Sequence, residues 1–248
     1  MRSLTVVVSL AFLLLLPIVV NASERVHWDY DVEGPFGPQN WSNLSVDFGL
    51  CQDGSSQSPV NLTGAYETRL APIELHWEAT DWELRNTGYT IAAYPKDGGY
   101  VIIEDERFEL VQFNLHNPSE HHIEGRSFPM EAHFVHRDKG GSLAVISVMI
   151  DGGGVNPLFD AFMAKAPIKE NAKVTLKAFD PTPITTDLGD ILRYQGSLTV
   201  PPCTENVMWT VLTDPLVVSD AALLAFNTLF NNNARPVQPL NRRFVLTD

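Results

Sequence analysis

Short apolar runs, separated by turn-forming residues, limit the fold of this 248-residue chain more than any other feature of its sequence. The runs either alternate apolar with polar residues or stay apolar throughout, and Gly, Pro, Asn or Asp bounds most of them. Both patterns are typical of β-strands. They predict seven strands, over residues 73–77, 90–94, 100–103, 110–116, 131–135, 143–150 and 207–212. We therefore predict a mainly β fold built around one large sheet.

Helical periodicity is credible in two places, at 157–163 and at 220–230, and Ser219 stands where an N-cap of the second helix is needed. The aromatic stretch 28–41 contains two Gly-Pro pairs and is predicted to pack as an extended arm. No repeat, linker or break in composition divides the sequence. These observations predict a single domain in which short peripheral helices surround the sheet.

The first residues have the pattern of a secretory leader. Met1 and Arg2 precede an apolar run over 4–20, and Val20-Asn21-Ala22 matches a small-residue cleavage site. A membrane anchor is the alternative, but the run contains polar residues and a proline and is shorter than the roughly 20 residues that span a bilayer. We therefore predict a signal peptide over 1–22 and one domain over 23–248. The mature protein would be secreted or extracytoplasmic, with no membrane span.

Charge and cysteine content narrow the possible partners and the compartment. Seventeen Lys and Arg oppose 30 Asp and Glu, and the net charge of -13 argues against nucleic acid and anionic lipid as partners. The two cysteines, Cys51 and Cys203, favour a disulfide in an oxidising compartment, with two buried free thiols as the alternative. Sequons at Asn40, Asn43 and Asn61 would matter only in a eukaryotic secretory pathway.

Histidines are concentrated in one part of the sequence. Five of the seven lie between residues 112 and 136. Because side chains alternate along a strand, Asn114 and His116 share one face of their strand, and Glu131 shares a face with His133. Adjacent strands would then present His116 and His133 to each other. Two imidazoles supply only part of a zinc site, which needs at least three protein ligands, so a polar network of core histidines remains an equal interpretation.

Four segments around these histidines resemble the α-class carbonic anhydrases: QFNLH at 112–116, PSEH at 118–121, MEAHFVH at 130–136 and GSLTVPPC at 196–203. The similarity extends to QSPVN at 57–61 and RPVQPLN at 235–241, and so covers essentially the whole mature chain. It implies a large, twisted, mostly antiparallel central sheet with a conical pocket. It also implies a disulfide between Cys51 and Cys203, as in the secreted members of the family.

The resemblance implies a metal site with one departure from the family pattern. The family holds a catalytic Zn²⁺ with three histidines, two alternating on one strand and the third on its neighbour. Those positions are Asn114, His116 and His133 in this sequence, so an asparagine replaces the first ligand. The implied activity is that of a zinc-dependent lyase, a carbonate dehydratase, in which zinc-bound hydroxide reversibly hydrates carbon dioxide to bicarbonate and a proton.

The resemblance also implies roles for the residues around the metal. Thr199 and Glu120 would align the hydroxide, and Tyr89 occupies the usual position of a proton-shuttle histidine. The residues expected to orient ligands or to form buried hydrogen bonds nearby are Gln112, Glu131, His121 and Tyr194. The apolar wall for carbon dioxide is expected to consist of Val135, Val145, Leu198 and Trp209. Val200, beside Thr199, replaces a threonine and removes a hydroxyl from the pocket.

Two functions follow, and the sequence leaves both open. Intact Thr199, Glu120 and Glu131 favour an enzyme that is impaired relative to a three-histidine relative. Asn114 and Tyr89 favour a carbonic-anhydrase-related binding or storage protein without tight zinc. A carboxamide oxygen is a poorer zinc ligand than an imidazole nitrogen, and a phenol with a pKa of about 10 relays protons poorly near neutrality. The sequence indicates no oligomeric state.

Overall fold

Strands account for most of the regular structure in the computed structural model, which describes residues 26–185 and 189–248. The predicted signal peptide, 1–22, lies outside the described residues. The fourteen strands of the described ranges are β1 (Asn61–Leu62), β2 (Tyr66–Glu67), β3 (Ile73–His76), β4 (Thr80–Asn86), β5 (Ile91–Pro95), β6 (Tyr100–Ile103), β7 (Glu106–His116), β8 (His122–Ile123), β9 (Met130–Arg137), β10 (Leu143–Asp151), β11 (Lys173–Phe179), β12 (Ile191–Ser197), β13 (Glu205–Val217) and β14 (Leu246–Thr247).

Twelve of these strands form one sheet. Its central path runs β11-β4-β5-β7-β9-β10-β13-β12-β14-β2, and the pair β3–β6 joins it through β7. Neighbouring strands are antiparallel except at β10–β13 and β14–β2. The predicted mainly β class, with a large and mostly antiparallel sheet, is therefore confirmed. Every predicted strand is present, and the central ones are longer than the sequence pattern indicated.

Five strands of the sheet were not predicted. Two of them, β2 and β14, have only two residues each, and the other three, β4, β11 and β12, have a weak apolar pattern. In β4 only Trp82 and Leu84 are buried apolar residues, and β11 is an edge strand with most of its side chains facing solvent. In β12 the buried positions include Arg193 and Gly196, which are not typical of a strand core. Backbone hydrogen bonds to neighbouring strands place β4, β11 and β12 in the sheet, although their own side-chain patterns are weak.

The helices are short and lie around the sheet, as predicted. They are α1 (Trp41–Leu44), α2 (Leu50–Asp53), α3 (Pro157–Lys165) and α4 (Asp220–Leu229). Ser219 is the N-cap of α4 and accepts a hydrogen bond from the backbone N–H of Ala222, and Asn156 caps α3 in the same way. None of the helices in the described ranges is long and apolar enough to cross a membrane.

Apolar side chains fill both faces of the sheet. Because residues alternate along β9, Phe134 belongs to the large cluster on one face, and Val135 belongs to a second cluster that also contains Trp209. A third cluster joins the N-terminal arm to the disulfide between Cys51 and Cys203, whose S–S distance is 2.04 Å. The predicted disulfide is confirmed.

His136 lies on the opposite face of β9 from His133, as its phase in the strand predicts. It is fully buried, and its Nε2 accepts a hydrogen bond of 3.2 Å from the indole N–H of Trp77. Burial lowers the pKa of His136 from 6.5 to about 3. The native state therefore holds this imidazole neutral at pH values where the unfolded chain protonates it.

The low pKa of His136 predicts a loss of stability in mild acid. Its contribution is complete above pH 6.5 and is lost as the pH falls toward 3, by about 2 kcal/mol between pH 7 and pH 5. His136→Gln keeps an acceptor for Trp77 and does not titrate, so it should flatten the pH dependence of the free energy of unfolding by that amount. Urea unfolding at both pH values measures this. His76→Gln, at a partly exposed histidine, is the control, and equal slopes for all three proteins would contradict the prediction.

Candidate active site

The register between β7 and β9 brings the predicted ligand positions together. Asn114 is paired with His133, and His116 is paired with Glu131. Directly opposed residues of antiparallel strands point to the same face of the sheet. The rings of His116 and His133 accordingly lie 4.5 Å apart, centroid to centroid. Asn114, His116 and His133 therefore converge on one buried point.

His116 is held in one tautomer by the backbone of a distant segment. Its Nδ1 donates a hydrogen bond of 2.8 Å to the carbonyl oxygen of Asn233, so the neutral ring has its lone pair on Nε2. Burial and, to a smaller extent, the neighbouring His133 together lower the pKa of His116 from 6.5 to about 3. The Asn233 amide in turn donates to the carbonyl oxygens of Tyr89 and Leu115. No local sequence signal indicates Asn233, which lies 117 residues from His116.

The carboxylate of Glu131 orients His133 and accepts five hydrogen bonds in all. One carboxylate oxygen, Oε1, accepts hydrogen bonds from His133 Nε2 at 2.7 Å, His121 Nδ1 at 2.7 Å and the Ser147 hydroxyl at 2.5 Å. The other oxygen, Oε2, accepts from the backbone N–H groups of Glu120 and His121. Burial alone would raise the pKa of Glu131, but the two imidazoles hold it well below its usual value. Because Nε2 of His133 donates to this ionised carboxylate, Nδ1 is the ring nitrogen that faces away from Glu131.

His121 extends this network to a tyrosine and a serine. Because its Nδ1 donates to Glu131, its Nε2 accepts from the Tyr194 hydroxyl at 2.6 Å. The Tyr194 oxygen lies 2.7 Å from the hydroxyl of Ser58. The sequence-predicted residues Glu131, His121 and Tyr194 thus form one buried chain of hydrogen bonds, which rigidifies the site.

Three buried polar atoms at this point have no hydrogen-bond partner anywhere in the described ranges: Asn114 Oδ1, His116 Nε2 and Glu120 Oε2. Buried polar atoms are almost always paired, so their coincidence indicates room for a cation. Ligand atoms of His116, Glu120 and His133 lie within 4.8 Å of one another. Gln112 shares a face with Asn114, but the unpartnered Oδ1 accepts nothing from it. Two imidazole nitrogens and one carboxamide oxygen fit zinc, more weakly than three nitrogens would.

Glu120 connects the metal position to the segment that carries Thr199. Its Oε1 accepts a hydrogen bond of 2.8 Å from the backbone N–H of Arg235, and Oε2 lies 3.9 Å from Nδ1 of His133. Burial raises the pKa of Glu120 to about 7, although His133, the Arg235 N–H and the Thr199 side chain favour its ionised form. The Arg235 guanidinium donates to the carbonyl oxygen of Cys51, which ties Glu120 to the disulfide.

An apolar surface stands beside the imidazoles. Val135, Val145 and Trp209 lie side by side on β9, β10 and β13 and belong to one cluster, against which Leu198 packs. The Trp209 ring is 4.8 Å from that of His133, centroid to centroid. Val200 packs elsewhere, against the cluster formed by the N-terminal arm and the disulfide. Four of the five predicted apolar residues therefore lie together, and Val200 does not join them.

Tyr89 is stacked on an aromatic ring of the N-terminal arm. Its ring lies 4.1 Å from that of Trp28, nearly parallel to it. Burial raises the pKa of Tyr89 above its usual value of 10. Tyr89 also lines a cavity of about 570 Å³ together with His27 and Asn231. A neutral phenol in a fixed stack exchanges protons poorly near neutral pH.

Comparison with known proteins identifies the class to which this fold and site belong. The family model of eukaryotic-type carbonic anhydrase matches residues 36–248. A carbonic anhydrase of Pectobacterium carotovorum is 34% identical over 245 residues, which cover 96% of this chain and 98% of that protein. The chain belongs to the α-class, or eukaryotic-type, carbonic anhydrase family.

Solved structures show the same fold. The α-carbonic anhydrase of Thermovibrio ammonificans, solved with the inhibitor sulfanilamide, superposes with a TM-score of 0.85 at 37% identity, over 89% of this chain and 99% of that one. Dioscorin, solved with ascorbate, superposes with a TM-score of 0.82 at 32% identity, over 89% of this chain and 97% of that one. The fold is therefore shared by proteins named as enzymes and by dioscorin.

Proposed function

We propose that this chain is a secreted, zinc-dependent carbonate dehydratase whose zinc affinity and rate are lowered by Asn114. The observation that carries the proposal is the pair of buried, unpartnered atoms Asn114 Oδ1 and His116 Nε2, directly beside His133. Membership of the carbonic anhydrase family supports the reaction class. The leader pattern over 1–22 and the disulfide support secretion, because disulfides persist in oxidising compartments.

His116 Nε2, His133 Nδ1 and Asn114 Oδ1 would hold the zinc ion. Zinc held there would supply a nucleophile from water at neutral pH and would act as a Lewis acid. The carbonyl oxygen of Asn233 accepts from Nδ1 of His116 and the carboxylate of Glu131 accepts from Nε2 of His133, which fixes the direction of both rings. Changes to residues that only orient ligands cost about 10- to 100-fold in metal affinity or activity, so replacing a ligand nitrogen by an oxygen should cost at least as much.

Thr199 and Glu120 would orient the reacting groups. The ionised Glu120 carboxylate can accept the hydroxyl proton of Thr199 in a hydrogen bond, which leaves the Thr199 oxygen as the acceptor for a proton of the attacking water. Val135, Val145 and Trp209 present a surface without charges to carbon dioxide, which is itself apolar. This surface stands next to His133, where attack would occur.

Proton release is a second step that should be slower here than in a relative with a histidine at position 89. Tyr89 is stacked on Trp28 and its pKa is raised, so it remains protonated through the neutral range. Buffer molecules or water must then carry the proton away. Turnover should therefore depend on buffer concentration more strongly than in a relative with a histidine at this position.

A binding or storage protein without tight zinc is the second candidate. The oxygen ligand Asn114 and the stacked Tyr89 both favour it, as does the similarity to dioscorin, which was solved with ascorbate. A fold shared with enzymes does not by itself establish catalysis. The two candidates differ in whether zinc binds and whether bound zinc accelerates hydration.

Metal content and carbon dioxide hydration, measured on the same purified chain, separate the candidates. We expect added zinc to raise the stopped-flow hydration rate above buffer, and chelation to remove that gain. Thr199→Ala should lower the rate by about 100-fold while zinc affinity stays unchanged, because only alignment is lost. Thr68→Ala, at an exposed threonine, is the matched control. A chain that binds no zinc and shows no rate above buffer would establish the second candidate.

A further inference from the structure

Arg193 is a buried arginine that points away from the active site. It lies on β12 between Leu192 and Tyr194, which belong to the cluster behind the apolar wall, so alternation places its side chain on the other face of the sheet. Only 4% of Arg193 is exposed. Its direct partners across the neighbouring strands are Thr210 and Leu246, whose side chains share that face.

The hydrogen bonds of Arg193 are incomplete. Its terminal nitrogens reach the Glu104 carboxylate and the carbonyl oxygen of Ala71, each at a long 3.4 Å. Its Nε–H is buried and finds no acceptor in the part of the chain that the structure describes, and the same holds for the hydroxyl of its cross-strand neighbour Thr210. A buried donor without a partner is costly, and more so when it carries charge. These two unpartnered groups lie on paired positions of β12 and β13.

A cavity of about 360 Å³ adjoins Arg193. One part of its wall is polar, with Arg193, Arg243 and Gln195, and the other is apolar, with Met208, Phe244 and Leu246. Phe244 is 63% exposed and packs edge-on against Tyr66 at the rim. Two arginines beside apolar residues contrast with the acidic composition of the whole chain.

We propose that this cavity binds a small carboxylate with a flat apolar body, of the benzoate class. A guanidinium presents parallel N–H donors that match a carboxylate, and Phe244 and Met208 would cover the apolar part of the ligand. The volume is in the range of small-molecule sites. The Glu104 carboxylate now contacts Arg193 where the carboxylate of the ligand would bind. The ligand would displace it, because the Glu104 side chain is 54% exposed and its contact with Arg193 is long.

Benzoate, with benzamide as its uncharged counterpart, tests the proposal in solution. In ¹H–¹⁵N spectra of the zinc-free chain, benzoate should shift the Nε–H signal of Arg193 and the backbone amides of Gln195 and Leu246 with one saturable dissociation constant, on the order of 1 mM or tighter. Benzamide should bind at least 10-fold more weakly. Shifts confined to the signals of His116 and His133, or equal shifts with both compounds, would overturn the proposal.

Two variants should change the dissociation constant for benzoate in opposite directions. Glu104→Gln removes the competing carboxylate and should tighten benzoate binding by about 3-fold or more, whereas Arg193→Gln should weaken it by at least 10-fold. Because Arg193→Gln changes a buried residue, Phe244→Ala provides a second test at an exposed position and should also weaken binding. Leu224→Ala, an exposed truncation on α4, is the control. If Glu104→Gln and Phe244→Ala both leave the dissociation constant unchanged, benzoate binds outside this cavity and the proposal is wrong.

Discussion

Asn114→His should raise zinc affinity by at least 10-fold and raise the hydration rate with it. The variant replaces a neutral oxygen by an imidazole nitrogen, the donor that borderline zinc prefers, at a position already opposite His133. The residue paired with Asn114 on β5 is the small Ala92, which favours a larger ring at position 114.

Competition with a chromophoric chelator measures the zinc affinity, and stopped-flow hydration at saturating zinc measures the rate. Asn43→His adds the same side chain at an exposed position on α1 and should change neither quantity. If Asn114→His binds zinc more tightly but hydrates no faster, the remaining defect lies in proton release at Tyr89 or in the alignment by Thr199. If its affinity is unchanged, the assignment of residue 114 as a ligand position is wrong.

The sequence could predict the part of the site that depends on strand phase. Period-two alternation alone places His116 and His133 on the same face of neighbouring strands, and the structure has their rings 4.5 Å apart. Alternation also places Glu131, whose carboxylate accepts from His133, on the same face as that histidine, and the resemblance added Thr199, whose side chain interacts with Glu120. His116, His133 and Glu131 lie on strands with strong patterns, so local sequence carries the information for them, whereas Thr199 follows β12, whose apolar pattern is weak.

Contacts that close over long loops could not be predicted in the same way. His116 is held by Asn233, 117 residues away, and Glu120 by the backbone of Arg235, 115 residues away. A backbone carbonyl or N–H can come from any residue type, so composition and spacing contain no trace of it. For the same reason β12 could not be predicted. It is a strand because its backbone pairs with β13 and β14, although its buried positions include Arg193.

Removal of the disulfide should cost about 5 kcal/mol of unfolding free energy. Cys51 and Cys203 are 152 residues apart, and closing a loop of that length restricts the unfolded chain by about this amount on the chain-entropy model. The loss is a large part of the 5–15 kcal/mol that is typical of whole domains. Chemical unfolding of the oxidised chain and of the double variant Cys51→Ala, Cys203→Ala measures it. Reductant should destabilise the native sequence and leave the variant unchanged, and equal midpoints for oxidised and reduced chains would contradict the prediction.

The same variant separates metal binding from alignment. Asn114, His116 and His133 are held by the pairing of β7 with β9, by Glu131 and by the carbonyl oxygen of Asn233, and in the described ranges none of these forms a hydrogen bond with either cysteine. Thr199 and Glu120 depend on the disulfide more directly. Cys203 donates its N–H to the carbonyl oxygen of Val200, and the arginine that supports Glu120 donates to the carbonyl oxygen of Cys51. At denaturant concentrations below its unfolding midpoint, the double variant should therefore keep its zinc affinity and lose hydration rate. A parallel loss of both would mean that the disulfide supports the ligand strands as well.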